Sequence, residues 1–318
     1  MKWLFLLVLL LIVGCSKEPY LIGISTWGPL ATYSESVEGF KEGLALEGFN
    51  EGEHVNFIVE SAEFDIEKQI HIIEKFINAD VDMIYSITAQ GTLITKATTP
   101  ETPVVFNAMF PVELGLVDSM DYSGNNVVGV IGYVPPQRQA RYFNQLFPSM
   151  KSMAFLRHAG EPNSKFQQND FSFFFEPNGI NVIDVEISEE QDIQKKLAPI
   201  AGDVDVIYVS CDNKLKLFEK NIVEVSSSLK KPVITCINTL ARKNGVLFVG
   251  TNYRPLGRLT AQKAAQILRG AKPTNLKTEI PENDYIIVNL DAASRAGITV
   301  PQSLLDIADE VINEVQQQ

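Results

Sequence analysis

The sequence predicts an α/β protein of two doubly wound parallel-sheet lobes joined by a hinge. Three observations predict it. Short apolar strands alternate with amphipathic helices, the pattern of a parallel sheet covered on both faces. The alternation runs through once by Ile131 and then starts again. No long linker or low-complexity stretch separates the halves, which favours a cleft between closely coupled lobes over independent beads.

In the first half, strands are expected at residues 20–25, 54–60, 83–87, 103–107 and 127–131. Val55, Phe57 and Val59 alternate as a strand requires. Ser34 reads as the N-cap of a helix carrying Val37, Phe40 and Leu44 at helical spacing, and Gly48 closes it. Asp65 caps a second helix, with Ile66, Ile70, Ile73 and Ile77 expected on one buried face. Residues 132–136 are the candidate first crossing between lobes.

In the second half, strands are expected at 152–156, 181–187, 204–209, 232–236, 246–250 and 285–289. Helices are expected at 137–147, 164–175, 191–199, 215–229 and 256–269, with a final helix over 302–315.

The first residues address the compartment. Lys2 precedes an apolar run from Trp3 to Val13, then Gly14, Cys15 and a polar stretch. This reads as a secretory signal peptide, too short to span a bilayer, which needs roughly 20 residues. Residues 12–15 also resemble the bacterial lipoprotein signal, in which Cys15 would become the first mature residue and carry acyl chains. More than one chain is needed for a stable anchor. The expected organisation is signal peptide 1–14, lipidated tether 15–19, a first lobe at 20–132 with about 251–275, and a second at 133–250 with about 276–318.

Composition is ordinary for a globular protein, with 45% hydrophobic and 21% charged residues. The net charge of −12 disfavours nucleic acid and a polybasic membrane patch, both of which need clustered Lys and Arg. Beyond Cys15 only Cys211 and Cys236 remain. Two small core thiols is the first reading of them; a disulfide in an oxidising compartment is the second. There is no phosphate-binding G-x-x-x-x-G-K-[ST] loop and no G-x-S-x-G elbow. His54, His71 and His158 lack metal-ligand spacing. No metal and no cofactor are expected, and the chain does not read as an enzyme. Cys211 beside Asp212 has no partner His nearby in sequence to make it a nucleophile.

In open α/β sheets, ligands sit at the carboxyl ends of strands beside helix N-termini. That rule selects Trp27, which either covers a planar ligand or staples the next helix. It selects Thr88 and Gln90, at a helix start whose N–H groups suit a carboxylate, with plain capping as the alternative for Thr88. It selects Asn107 and Phe110 after the fourth strand. In the second half it selects Asn163 and Ser164, then Asp212 and Asn213, each also a candidate cap. Tyr133 either lines the cleft or packs in the hinge.

Several stretches together resemble a known family. They are EGFKEGLALEGFNEGEHVNF (38–57), PVVFNAMFPVELGLV (103–117), NNVVGV (125–130) and EPNS (161–164). VDVIYVSCDN (204–213), GTNYRPLGRLTAQKAAQILRGAKP (250–273) and AGITVPQSLLDIADEVI (296–312) continue the series. In order and spacing the chain is similar to the substrate-binding lipoproteins of ABC transporters, tryptophan/tyrosine type, with the type I periplasmic-binding-protein fold. The resemblance implies capture of a small molecule by hinge closure and recognition of the closed form by membrane ABC permease subunits. It implies that Asn163 and Ser164 grip a carboxylate.

Two positions depart from the pattern. An acidic residue common before the Pro of the fourth-strand loop is here Phe110, which offers stacking or cation–π contact instead. A second acidic position is Asn252. Both losses remove partners for an ammonium and point to a less basic or aromatic ligand. The expected protein is a monomeric, membrane-anchored, extracytoplasmic receptor feeding an ABC importer. A sensory lipoprotein signalling to a membrane receptor would use the same cleft, and a secreted enzyme is the third reading.

Overall fold

The computed structural model describes residues 18–313. Two sheets form two lobes. The first has the strand order β2-β1-β3-β4-β5 and is parallel throughout. Its strands are β1 (Tyr20–Thr26), β2 (Val55–Ser61), β3 (Met83–Ile87), β4 (Val104–Ala108) and β5 (Val127–Ile131). Helices α1 (Ala31–Leu46), α2 (Ile66–Asn78) and α3 (Ala89–Thr98) connect the first four. Strands β3, β4 and β5 are buried along their whole length, as expected when helices cover both faces.

The second sheet has seven strands in the order β12-β11-β10-β9-β8-β6-β7. They are β6 (Ser152–His158), β7 (Asn181–Ile187), β8 (Val206–Val209), β9 (Val233–Thr235), β10 (Gly245–Gly250), β11 (Tyr285–Asn289) and β12 (Glu310–Ile312). Its helices are α4 (Pro136–Leu146), α5 (Pro162–Phe175), α6 (Asp192–Leu197), α7 (Asn213–Leu217), α8 (Glu219–Ser228) and α9 (Asn238–Lys243). The sheet departs from all-parallel at one place, where β11 runs antiparallel to β10.

Helix α10 (Tyr253–Leu268) follows β10 in sequence but packs on the first lobe. Gly39 and Gly43 of α1 and Gly257 of α10 make this possible. A Cβ at Gly39 would lie 2.0 Å from the Arg254 carbonyl oxygen, and one at Gly257 2.1 Å from that of Ser36. Glycine is needed where two backbones approach this closely. The exposed rim of the crossing is tied by Arg254 and Arg258, both paired with Glu42. Beyond α10, Glu279 still pairs with Val130 of β5, so the return to the second lobe falls after it. Helices α11 (Leu290–Arg295) and α12 (Gln302–Leu305) complete the second lobe.

Several expectations need correction. Helix α1 starts at Ala31, not after Ser34, because the Tyr33 and Ser34 N–H groups already donate to the Leu30 carbonyl. Asp65 does cap α2, accepting from the Lys68 N–H at 2.7 Å. The buried face of α2 is Gln69, Ile72, Ile73 and Phe76, while Ile66 and Ile77 are exposed. The rotation is stabilised because the Gln69 amide is met on both sides, by Ser25 Oγ at 3.0 Å and Thr95 Oγ1 at 3.1 Å. The helix expected over 215–229 is broken at Phe218 into α7 and α8.

The helix expected over 302–315 ends at Leu305, and the chain then adds β12 to the open side of β11. Asp309 anchors that switch, its carboxylate accepting from the Ile286 N–H at 2.8 Å. An available ladder outweighs local helix propensity. Residues 314–318 lie outside the described residues. So do residues 1–17, with the signal peptide and Cys15. Among the described residues, no helix is long and apolar enough to cross a membrane.

The α1–α10 crossing sets a test. Gly39→Ala gains helix propensity worth ~1 kcal/mol but forces the two helices apart, a cost of about 1–3 kcal/mol or more. A net loss of stability is expected, read as a lower urea midpoint with an unchanged slope.

Candidate functional site

The carboxyl ends of strands from both sheets face one another across a cavity of about 70 Å³. That is several times the ~10–15 Å³ a single water needs. The first lobe contributes Ile87, Thr88 and Ala89 after β3 and Asn107, Ala108 and Met109 at the end of β4. Tyr33 reaches in from α1, and Tyr253 and Leu256 from α10. The second lobe contributes Gln139, Asn163, Asn213 and Lys216, and Gly132 and Tyr133 close the hinge side.

Thr88 holds a positive φ of +88°, unusual for a β-branched residue. Two hydrogen bonds fix it: its N–H donates to the Asn107 carbonyl at 2.8 Å, and its Oγ1 accepts from the Gly91 N–H at 3.2 Å. The strained turn starts α3 at the cavity wall. Strain of this kind persists where surrounding contacts over-determine it and is common at ligand clamps.

Of the described cavity-lining residues, Asn163 carries a buried polar atom with unused hydrogen-bonding capacity. Its Oδ1 is buried and has no hydrogen-bond partner. As placed it would accept a ligand N–H or O–H; with the amide turned over it would donate to a ligand oxygen. Among the described residues, Lys216 is the one basic side chain lining the cavity, and its Nζ sits 5.8 Å from the centre of the Tyr33 ring. The Tyr33 hydroxyl donates across the cleft to Asn213 Oδ1 at 2.9 Å, linking the lobes. Burial pushes the Tyr33 phenol well above its usual value, and Tyr253 and Glu161 add to the rise. Among the described residues, no Asp or Glu lines this cavity.

The other residues selected from sequence divide among different tasks. Asn107 borders the cavity, but its amide is held by Ser36, Tyr85 and Thr260. Ser164 is buried, donating to the Glu161 carbonyl at 2.8 Å. Asp212 is buried and caps α7, accepting from the N–H groups of His158, Lys214 and Leu215. Trp27 and Gln90 line a neighbouring interlobe crevice with Phe64 and Glu161. Asn252 caps α10 and faces a third hollow with Arg242 and Arg258. Phe110 lies on the far side of Tyr133, in a further hollow described below. The cavity therefore gathers Thr88, Asn107, Tyr133, Asn163 and Asn213 from the sequence-selected set.

Tyr33, Gln139, Lys216 and Tyr253 were not selected from sequence. Each reaches the cavity from within a helix, and a rule that reads strand-end loops passes over them. Cys211 and Cys236 also line it, joined in a disulfide with Cα atoms 5.3 Å apart. The reading of two separate core thiols is thus corrected. The ends of β8 and β9 lie side by side and bring the two sulfurs together, a proximity that their sequence separation of 25 does not reveal.

In the Trp27 crevice, burial pushes the Glu161 carboxyl up to about 7, and the nearby Asp212 charge adds to the rise. The folded state therefore holds the Glu161 proton more tightly than the unfolded chain, whose carboxyl titrates near 4.5. Stability should fall as pH rises from about 4.5 to about 7 and level off above. In Glu161→Gln this part of the slope should be missing, so thermal melts at about pH 8 should favour the variant.

Comparisons place these features among known proteins. A curated tyrosine-binding protein of Clostridioides difficile is 25% identical over 277 residues, covering 87% of this chain and 80% of the relative. A Streptococcus pneumoniae ABC domain solved in complex with L-Trp superposes with a TM-score of 0.83 at 25% identity, covering 93% of this chain and 100% of that one. The ligand-free, open structure of a substrate-binding protein with adhesive properties from Clostridium difficile shares the fold, with a TM-score of 0.79 at 24% identity over 92% and 99% of the two chains. The sequence model described as ABC transporter substrate binding protein matches residues 31–312. A match across nearly all the described residues, on a two-lobed frame whose strand ends enclose a cavity, shows that this chain belongs to the ABC transporter substrate-binding protein family.

Proposed function

We propose that this receptor captures an aromatic amino acid or a close analogue in the cavity beside Thr88 and delivers it to an ABC permease. The single observation that carries the ligand class is the charge of the cavity. Among the described residues, Lys216 is its one basic side chain, the buried Asn163 oxygen has no partner, and no carboxylate lines it. A ligand carboxylate would meet Lys216 and the N–H groups that open α3. A planar group would lie among Tyr33, Tyr133 and Tyr253. A ligand ammonium would find no carboxylate partner there, which favours analogues lacking one over the zwitterion.

Closure of the two lobes about the crossings is part of this reading, with Tyr33 and Asn213 as the contact that links them when shut. The lobe boundaries at 132/133 and about 250/251 belong to it as well, with the last one, expected at about 275/276, moved beyond Glu279 by the pairing of that residue with Val130. So do a signal peptide over 1–14, a lipid anchor on Cys15, an extracytoplasmic location and a monomeric state. Binding rather than catalysis is supported by Cys211, whose sulfur is bonded to Cys236 and is not available as a nucleophile.

A thermal-shift comparison of L-tryptophan, L-tyrosine and their deaminated acids tests the ligand class. Ligand at ~100 times its dissociation constant should add ~2.7 kcal/mol of stability. The deaminated acids should give shifts at least as large as the amino acids. Stabilisation by the amino acids alone would reject the charge argument. Asn163→Ala and Lys216→Ala should each weaken binding by about tenfold, the effect of losing ~1.4 kcal/mol. Asp212→Ala should instead act on folding, lowering stability by about 1–3 kcal/mol because it leaves buried N–H groups without an acceptor.

A further inference from the structure

We propose that the hollow behind Tyr133 is a second ligand site, shaped and charged for a small organic cation bearing an ammonium or quaternary ammonium group. The hollow has a volume of about 490 Å³ and lies between the lobes, where the loop after β4 faces helix α5. Tyr133 is its one wall residue in common with the first cavity, so the ring separates the two spaces.

Among the described residues, four aromatic residues line the hollow, Phe110, Tyr133, Phe166 and the exposed Phe173, and the first three pack on one another. Phe110 and Tyr133 have ring centres 4.8 Å apart at a tilt of 46°, and Phe110 and Phe166 are 5.8 Å apart at 41°. These separations and tilts suit mutually attracting rings, and Met120 adds a polarisable side chain to the same wall. Phe110 is held at a φ of +52°, an expensive conformation for a bulky residue. The backbone is thus strained at the residue on which the three-ring contact centres.

The charge of the hollow decides the class of occupant. Asp170 of α5 and Glu113 of the first lobe line it, and among the described residues no Lys, Arg or His does. One hydrogen bond reaches the Asp170 carboxylate, from the Tyr133 hydroxyl to Oδ2 at 2.9 Å. Burial holds Asp170 above the usual carboxyl range, and the charge of Glu113 adds to the rise. A cation seated between them would relieve that repulsion while resting on the rings, the combination used for quaternary ammonium recognition. Rings alone would accept any apolar molecule, and carboxylates alone would stay solvated. Together, without a balancing cation, they select positive charge, the opposite of the preference of the first cavity.

Choline is the probe, with 3,3-dimethylbutan-1-ol as its neutral isostere, measured by titration calorimetry on the full chain. Choline should bind about tenfold or more tightly than the alcohol. Asp170→Asn keeps the shape and the Tyr133 bond, and Phe166→Ala removes one ring; each should weaken choline by about tenfold. Glu190→Gln, an exposed acid outside the hollow, should leave it unchanged. Equal affinity for choline and the alcohol would overturn the proposal. So would choline binding that survives both Asp170→Asn and Phe166→Ala, or a loss in Glu190→Gln as large as in Asp170→Asn. Thermal melts of each variant separate lost binding from lost folding.

Discussion

The close crossing of α1 and α10 is the contact on which the two-lobed arrangement depends. Backbones meet there because Gly39, Gly43 and Gly257 carry no Cβ. The crossing fastens a helix that follows β10 of the second sheet onto the first lobe. The chain passes from the first sheet to the second after β5, and this contact brings it back to the first lobe after β10, where Glu279 still pairs with Val130. The cavity takes residues from two of these crossings, Gly132 and Tyr133 from the first, Gly250 and Thr251 from the second. Moving α10 to its sequence neighbours would remove Tyr253 and Leu256 from the cavity wall as well.

Within the cleft, charge is sorted by position. The central cavity carries Lys216 and amide or hydroxyl groups, the Trp27 crevice carries Glu161, and the hollow behind Tyr133 carries Asp170 and Glu113. Lys214 also lines the Trp27 crevice. Both Glu161 and Asp170 are partly withdrawn from water, and their carboxyls are raised for the same reason, burial. Partly desolvated charges act more strongly on one another and on a ligand than surface charges do. Small displacements of one lobe against the other would therefore change three electrostatic environments together.

Rigid local devices brace the second-lobe wall of the cavity. Asp212 caps α7 and also binds the His158 N–H, joining the ends of β6 and β8. The Cys211–Cys236 bond joins the ends of β8 and β9. Gln167 reinforces both, its Oε1 accepting from the Cys211 N–H at 2.9 Å and its Nε2 donating to the Tyr208 hydroxyl at 3.0 Å. Asn163 and Asn213 line the cavity from this braced surface, and a braced surface loses less conformational entropy on binding than a mobile one.

The sequence by itself determined the α/β class, the repeat of the pattern and most strands to within a residue or two, because buried strands need continuous apolar runs. It determined the Asp65 cap, and it located Thr88, Asn163 and Asn213 at strand ends. Tertiary structure decided what depends on contacts between distant segments. It rotated α2 onto Gln69, turned the tail after Leu305 into β12, and joined Cys211 to Cys236. It brought Lys216, Tyr33 and Tyr253 into one cavity from three helices. It also separated Asn107 and Asp212, whose polar groups are consumed by the protein, from Asn163, whose oxygen is left open. Local periodicity encodes which face is apolar, but the saturation of a polar group is set by neighbours that only folding supplies.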